Sequence, residues 1–327
     1  MLPEAPTAIE TVLSWMVLGG LLAAASLAAA APSPPLTRTV WGQRWGYAQD
    51  APLWPSNCSS WTPPCPRDAG PNVRLGCEST AIAQIMFYHR RCPTGAVNYA
   101  APGFPNATMN FSAEAVTLCD WSSFALAPPN VSSDPAVQKV ARFEFAAALV
   151  VEKVWGTSTY ALSHADRARA VSAHFGANVT RLNLVPDSGS RKTSRAAMVG
   201  AIVDSLQRRL PMKMQIGDVT HQHYHHVVID GFDLSGSSSS GNSGGSSGRG
   251  NGRGDSNGTT KGSGRSGGGK LMMHLNIGHS GCDNGWYDFD KPICLRYYQN
   301  GTTPAGGGCA YNYDDPLCRR LWLINPM

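Results

Sequence analysis

A thiol, an imidazole and a carboxamide stand far apart in this 327-residue chain, each in a setting that suits nucleophilic catalysis. Cys77 follows Gly76 and opens the run Glu78-Ser79-Thr80-Ala81-Ile82-Ala83-Gln84-Ile85-Met86-Phe87-Tyr88-His89, which predicts an amphipathic helix. Unpaired N–H groups at a helix N-terminus, with the positive end of the helix dipole, favour a thiolate, the attacking form of cysteine. A thiolate also needs a proton acceptor. Far downstream, His225-His226-Val227-Val228-Ile229-Asp230-Gly231 places an imidazole at the head of an apolar, β-branched strand, and Asn276 closes another strand. The chain order is therefore Cys, His, Asn, with the asparagine expected to accept the imidazole N–H and orient the ring.

These segments resemble the streptopain-like cysteine peptidases, a papain-related family. Gly76-Cys77 through Ala83-Gln84-Ile85-Met86 and Tyr88-His89 is similar to that family's nucleophile helix. His225 through Gly231 is similar to its histidine strand, and His274-Leu275-Asn276-Ile277-Gly278-His279-Ser280-Gly281 followed by Gly285-Trp286-Tyr287 to its asparagine loop. Gln43, four residues before Tyr47, resembles the family's oxyanion glutamine, which implies a side-chain amide donating to the developing oxyanion beside the Cys77 N–H. The resemblance implies an α+β, papain-like fold with a helical N-terminal half packed against a C-terminal antiparallel sheet, and the active cleft between them. It implies catalytic roles for Cys77, His225, Asn276 and Gln43, a protein or peptide substrate, and no cofactor or metal. Papain's own signature is absent, because Arg74 and Glu78 occupy the places of its second cysteine and its aromatic. Ile277 and His279 stand where the family usually carries tryptophans.

Two histidines compete for the role of base. His221, His223 and His225 would share one strand face and could hold zinc or copper. The register with Asp230-Gly231 instead matches His225 to the family's catalytic imidazole and turns His226 to the opposite face, toward the core.

Composition points to an oxidising compartment. Residues 12–31 are apolar and end in small residues before Pro32, so 1–31 is expected to be a signal peptide, with a retained anchor as the alternative. Asn57, Asn106, Asn110, Asn130, Asn178, Asn257 and Asn300 each head an Asn-X-Ser/Thr sequon, which suits a secreted or endomembrane glycoprotein, extracellular, vacuolar or lysosomal. Nine cysteines suggest four pairs and one free thiol, Cys77, with pairing inside the Cys58, Cys65, Cys92, Cys119 group and inside the Cys282, Cys294, Cys309, Cys318 group. The net charge of +5 is too small and scattered to imply a nucleic-acid partner, and no integral membrane partner is expected. Little chain separates Ala31 from Gln43, so no large inhibitory pro-segment is expected there, which leaves restraint to the compartment or an external inhibitor. The resemblance thus implies a secreted or endomembrane cysteine endopeptidase with its domain at 36–327, interrupted at 235–269, and the alternative is a catalytically weakened glycoprotein of the same fold that binds peptides or surfaces.

Helix signals follow the nucleophile segment. Ser133-Asp134-Pro135 opens a helix of about five turns, a second runs from Ser163 to His174 before Gly176, and a third from Ser194 to Arg209 before Pro211. Short strands are expected at 212–215, 226–232, 271–276, 286–289 and 321–324. Between the second and third of these, 235–269 is dominated by Gly, Ser, Asn and Arg, a composition expected to stay disordered. Loop closure costs only about 0.6 kcal/mol per doubling of length, so a hairpin can carry such an insertion. Excising 235–269 and rejoining the strands with a short turn should change stability by about 1 kcal/mol or less. A collapse of the melting transition on excision would show that the tract packs.

Overall fold

The computed structural model describes residues 31–56, 70–127, 133–184, 192–218, 224–234, 270–295 and 311–327 without 314. Residues 1–30 of the expected leader, the tract at 235–269, and His221 and His223 lie outside the described residues. Four helices longer than one turn and ten strands form the described fold. The helices are α1 (Cys77–Tyr88), α2 (Pro135–Val150), α3 (His164–Phe175) and α4 (Arg195–Gln207). The main sheet is six-stranded and antiparallel, in the order β3 (Ala177–Asn183), β10 (Asp315–Pro326), β4 (Met212–Gly217), β5 (Tyr224–Asp233), β6 (Met272–Asn276) and β7 (Gly285–Asp288). Two small hairpins complete it, β1 (Ala96–Tyr99) with β2 (Ala107–Asn110), and β8 (Ile293–Leu295) with β9 (Tyr311–Tyr313).

Local chemistry sets the helix ends. Asp134 accepts the Ala136 N–H at 2.8 Å with Pro135 in the first turn, Ser163 accepts from Asp166 and Ser194 from Ala197. Gly176, left-handed at φ 58°, closes α3. No helix among the described residues is long and apolar enough to cross a membrane.

Two elements depart from expectation. The nucleophile helix is not amphipathic: every residue from Glu78 to Met86 is buried, because α1 lies between α2 and the sheet. The helical and sheet halves are also not fully segregated. The strand β3, with its mixed polar and apolar run, forms before α4 and pairs with the C-terminal β10, from Ala177 opposite Pro326 to Asn183 opposite Arg320. Long-range pairing of this kind has no local signal.

The sheet divides two cores. On one face Val228, Trp322 and Ile324 pack with α1, α2 and α3. On the other, Met212, Met214, Val227, Ile229, Leu275 and Leu321 pack against α4. Adjacent residues of β5 therefore serve different cores, as the two-residue period of a strand requires. The N-terminal segment seals the edge of this strand: Leu36 N–H donates to Asp230 O at 2.8 Å, and the Asp230 carboxylate accepts from Thr37 N–H, the Thr37 hydroxyl and His274 Nδ1.

Within the α1–α2 interface lies Glu144, a carboxyl with no solvent exposure that faces Thr80 and Tyr47. Burial, opposed by Thr80, raises its pKa well above the ordinary 4.5. The folded state then keeps a proton that the unfolded chain releases, so this group favours folding less and less as pH climbs above the ordinary value. Glu144→Gln should flatten that decline, by up to about 1.4 kcal/mol per pH unit, as pH rises from the ordinary carboxylate value. Denaturant unfolding at several pH values checks it, and parallel curves for the two proteins would refute it.

Candidate active site

Cys77 is the first residue of α1 and is half-buried. The turn that delivers it needs a glycine: Gly76 has φ 92°, and a Cβ there would lie 2.7 Å from Lys153 Cε and 2.9 Å from the Tyr160 hydroxyl. Tyr160 OH accepts the Glu78 N–H at 3.1 Å, satisfying one of the helix's free donors. The Cys77 sulfur accepts a hydrogen bond from the His226 backbone N–H. Burial pushes the thiol pKa up, opposed by that hydrogen bond and by Lys153 and Lys213, and assisted by Glu78. Burial thus opposes the thiolate that the helix N-terminus favours.

His225 and His226 point to opposite faces of β5. The His226 ring turns toward α1, with Nε2 3.5 Å from a Glu78 carboxylate oxygen and its Nδ1 buried without a hydrogen bond. The His225 ring lies 4.8 Å from His279 and 6.0 Å from Tyr313, and its Nε2 is 2.8 Å from the Ile277 carbonyl oxygen. A carbonyl only accepts, so Nε2 carries the hydrogen and Nδ1 carries the lone pair. Burial lowers the His225 pKa to about 4, against a raising effect of the Ile277 carbonyl. Among the described residues no hydrogen bond joins either imidazole ring to Cys77.

Asn276 does not hold the His225 ring. Its Oδ1 accepts from Gln84 Nε2 and from the Gly278 N–H, each at 3.2 Å, and its Nδ2 donates to the Thr39 carbonyl. The side chain thus ties its loop to α1 and to the N-terminal segment, and the next residue's carbonyl meets the imidazole instead. β6 ends at this asparagine, so the backbone beyond it is free of sheet pairing and its carbonyl can turn toward β5.

Gln43 is buried and close to the same loop. Its Nε2 donates to Gly278 O at 3.3 Å, while its own carbonyl accepts the Leu75 N–H at 3.2 Å, two residues before Cys77. Gly278 has φ 73°, and a Cβ there would sit 3.2 Å from Thr80 Cγ2, which makes room for this approach. The Ser280 N–H donates to Trp41 O, so the segments carrying Gln43, Cys77 and Asn276 are laced together by backbone hydrogen bonds.

Several residues had no assigned role from sequence. Glu78, Lys213 and Arg167 form a buried ion cluster behind Cys77, and the available signal was a lysine between Met212 and Met214 in an apolar strand. His279 is buried beside His225 with both nitrogens unpartnered among the described residues, and burial holds its pKa well below the ordinary value.

The chain matches the model of the Peptidase C10 family over residues 47–287 and belongs to that family; it is a cysteine-type peptidase. Its fold is similar to that of the active wild-type interpain A cysteine protease of Prevotella intermedia, with a TM-score of 0.57 at 16% identity, covering 90% of this chain and 94% of that one. It is also similar to a prointerpain A fragment from the same organism, in a cysteine-to-alanine variant, with a TM-score of 0.53 at 15% identity, covering 90% and 72%. These likenesses establish the papain-like α+β fold. Among curated proteins none matches at a comparable level.

The cysteines depart in part from the expected count. Cys92 and Cys119 form a disulfide, as pairing within the first group allows. Cys77 is free, but so is Cys282, which sits in a turn closed by its N–H on His279 O, while Cys294 is disulfide-bonded. Alkylation of the unfolded, unreduced protein followed by mass spectrometry should therefore mark both Cys77 and Cys282, with Cys92 and Cys119 marked only after reduction. Finding Cys282 protected would restore the single-thiol count.

Proposed function

We propose that this peptidase is an endopeptidase in which the Cys77 sulfur attacks the scissile carbonyl as His225 Nδ1 takes its proton. The proton then passes to the departing amine, the C–N bond breaks, and water hydrolyses the resulting thioester with His225 again acting as base. The observation that carries this reading is the hydrogen bond from His225 Nε2 to the Ile277 carbonyl, because it leaves a lone pair on Nδ1. His226 is a weaker candidate, since its Nδ1 is buried without a partner and its Nε2 faces Glu78. Gln43 Nε2 has a second hydrogen beyond the one given to Gly278 O, and with the Cys77 N–H it would receive the oxyanion. Asn276 acts as the tie that holds the loop carrying Ile277 and Gly278.

Burial raises the pKa of the thiol and lowers that of the imidazole, so the resting pair is neutral and the proton moves during attack. The substrate is a protein or peptide. A secreted or endomembrane-lumen location is supported by the disulfide and by Asn106, Asn110 and Asn178, sequon asparagines that are all exposed.

A peptidyl epoxide should label Cys77 in the folded protein. If it labels only the denatured chain, the weakened binding glycoprotein becomes the better reading. His225→Ala should lower kcat/KM by about 10² to 10⁴ with the fold retained, whereas His226→Ala should lower the melting temperature and cost far less activity. Equal losses in the two variants would mean that the assignment of base is wrong. Because His225 must be unprotonated, the acid limb of the kcat/KM profile should fall at about pH 4 and not near the ordinary histidine value of 6.5.

A further inference from the structure

The residue after Cys77 is a carboxylate with no solvent exposure. An isolated buried carboxylate is strongly disfavoured, and three elements compensate this one. From β4, the Lys213 ammonium donates to Glu78 Oε1. From α3, Arg167 Nε stands 3.0 Å from Oε2, and from β5, His226 Nε2 stands 3.5 Å from the same oxygen. Each partner is itself held. Lys213 lies over the Trp322 ring at 3.2 Å from its centroid, and Arg167 lies over Tyr160 at 4.8 Å while donating to Leu162 O at 2.6 Å.

The turn fixed this way carries the nucleophile candidate. Tyr160 takes the Glu78 N–H, and the Cys77 sulfur takes the N–H of His226, the residue whose ring meets Glu78. Charged groups act on the sulfur from three segments, Glu78 on α1, Lys213 on β4 and Lys153 after α2, while Arg167 on α3 faces Glu78. His226 and His164 face the same cluster as neutral rings, and Arg320 contacts His164 from β10. Glu78 therefore supplies the negative charge among several cations, one residue from the sulfur.

We propose that Glu78 is a positioning residue of the nucleophile: clamped by Lys213, Arg167 and His226, it sets both where the Cys77 sulfur sits and how readily that sulfur loses its proton. The proposal rests on Cys77 being the nucleophile. Neutralising Glu78 leaves the cations unbalanced beneath the sulfur, which promotes ionisation, while the loosened clamp aims the sulfur less well. The two effects run in opposite directions, a signature that a purely structural role does not produce.

The test is the pH dependence of iodoacetamide alkylation of Cys77 in the full chain, with Cys282→Ser introduced so that Cys77 is the free thiol followed. Glu78→Gln should move the midpoint down by about half a pH unit or more, and Lys213→Met should move it up. In peptide cleavage, Glu78→Gln should lower kcat at least about tenfold with KM little changed. Where Glu78→Gln fails to fold, the double variant Glu78→Leu, Lys213→Met replaces the pair by apolar groups, an exchange that is often tolerated. It should hold the midpoint within about half a pH unit of the parent and still lose kcat. An unchanged midpoint in Glu78→Gln, or an unchanged kcat in either Glu78 variant, overturns the proposal. Alkylation needs no turnover, so a parent protein that cleaves no peptide and resists the peptidyl epoxide counts against the peptidase mechanism, while the alkylation midpoints still test the clamp independently.

Discussion

The N-terminus of α1 meets β5 where the His226 ring stands 3.5 Å from Glu78 and its backbone N–H faces the Cys77 sulfur, and the orientation of both imidazoles follows from that contact. With the backbone of His226 held against the helix, the two-residue period of the strand sends its ring toward α1 and the His225 ring toward His279 and Tyr313. A slip of one residue would exchange the two imidazoles. The register is held by main-chain pairing with β4, where Gln215 stands opposite His226, and by the apolar residues beyond, with Val228 in one core and Val227 and Ile229 in the other. An error in register would therefore cost a whole row of buried contacts.

Polar groups inside this protein are handled in two ways. Around Glu78 they are paired: carboxylate, ammonium and guanidinium lie together with their remaining donors on carbonyls, aromatic faces and a neutral imidazole. Such a cluster is a poor source of net stability, because desolvation offsets much of the Coulombic attraction, but breaking it leaves a buried charge and is expensive. It therefore favours one arrangement over its neighbours. Glu144 is handled differently: burial between α1 and α2 favours its protonated form, opposed by Thr80.

The same desolvation acts on Cys77 and His225, the pair proposed to react. With His225 at about 4 and the Cys77 thiol raised, charge separation is unfavourable before substrate arrives. In the proposed mechanism a substrate carbonyl would change the balance, since the negative charge would move on to an oxygen facing the Gln43 amide, which now donates to Gly278 O, and the helix N-terminus. Three segments far apart in the chain must meet for this: the Leu75 N–H on Gln43 O, Gln43 Nε2 on Gly278 O, and Gln84 on Asn276 each join two of them.

Much of this was legible in the sequence, because local rules decide it. Asp134-Pro135, Ser163 and Ser194 mark helix starts by satisfying free N–H groups, Gly76 permits the turn before Cys77, and adjacent histidines on a strand must face opposite ways. Other features depend on residues remote in sequence and had no local mark. The pairing of β3 with β10 arises from chain segments more than a hundred residues apart. The partner of the His225 ring is a backbone carbonyl, a group that every residue carries, so only the approach of the loop could select Ile277 over the Asn276 side chain. Cys282 is free although cysteine parity pointed to a disulfide, because pairing depends on distances that spacing does not encode. Residue types and their local periods determined which groups could react and which way they could face. Tertiary packing decided which of them meet, since hydrogen bonds and ion pairs act over a few ångströms that only the folded chain defines.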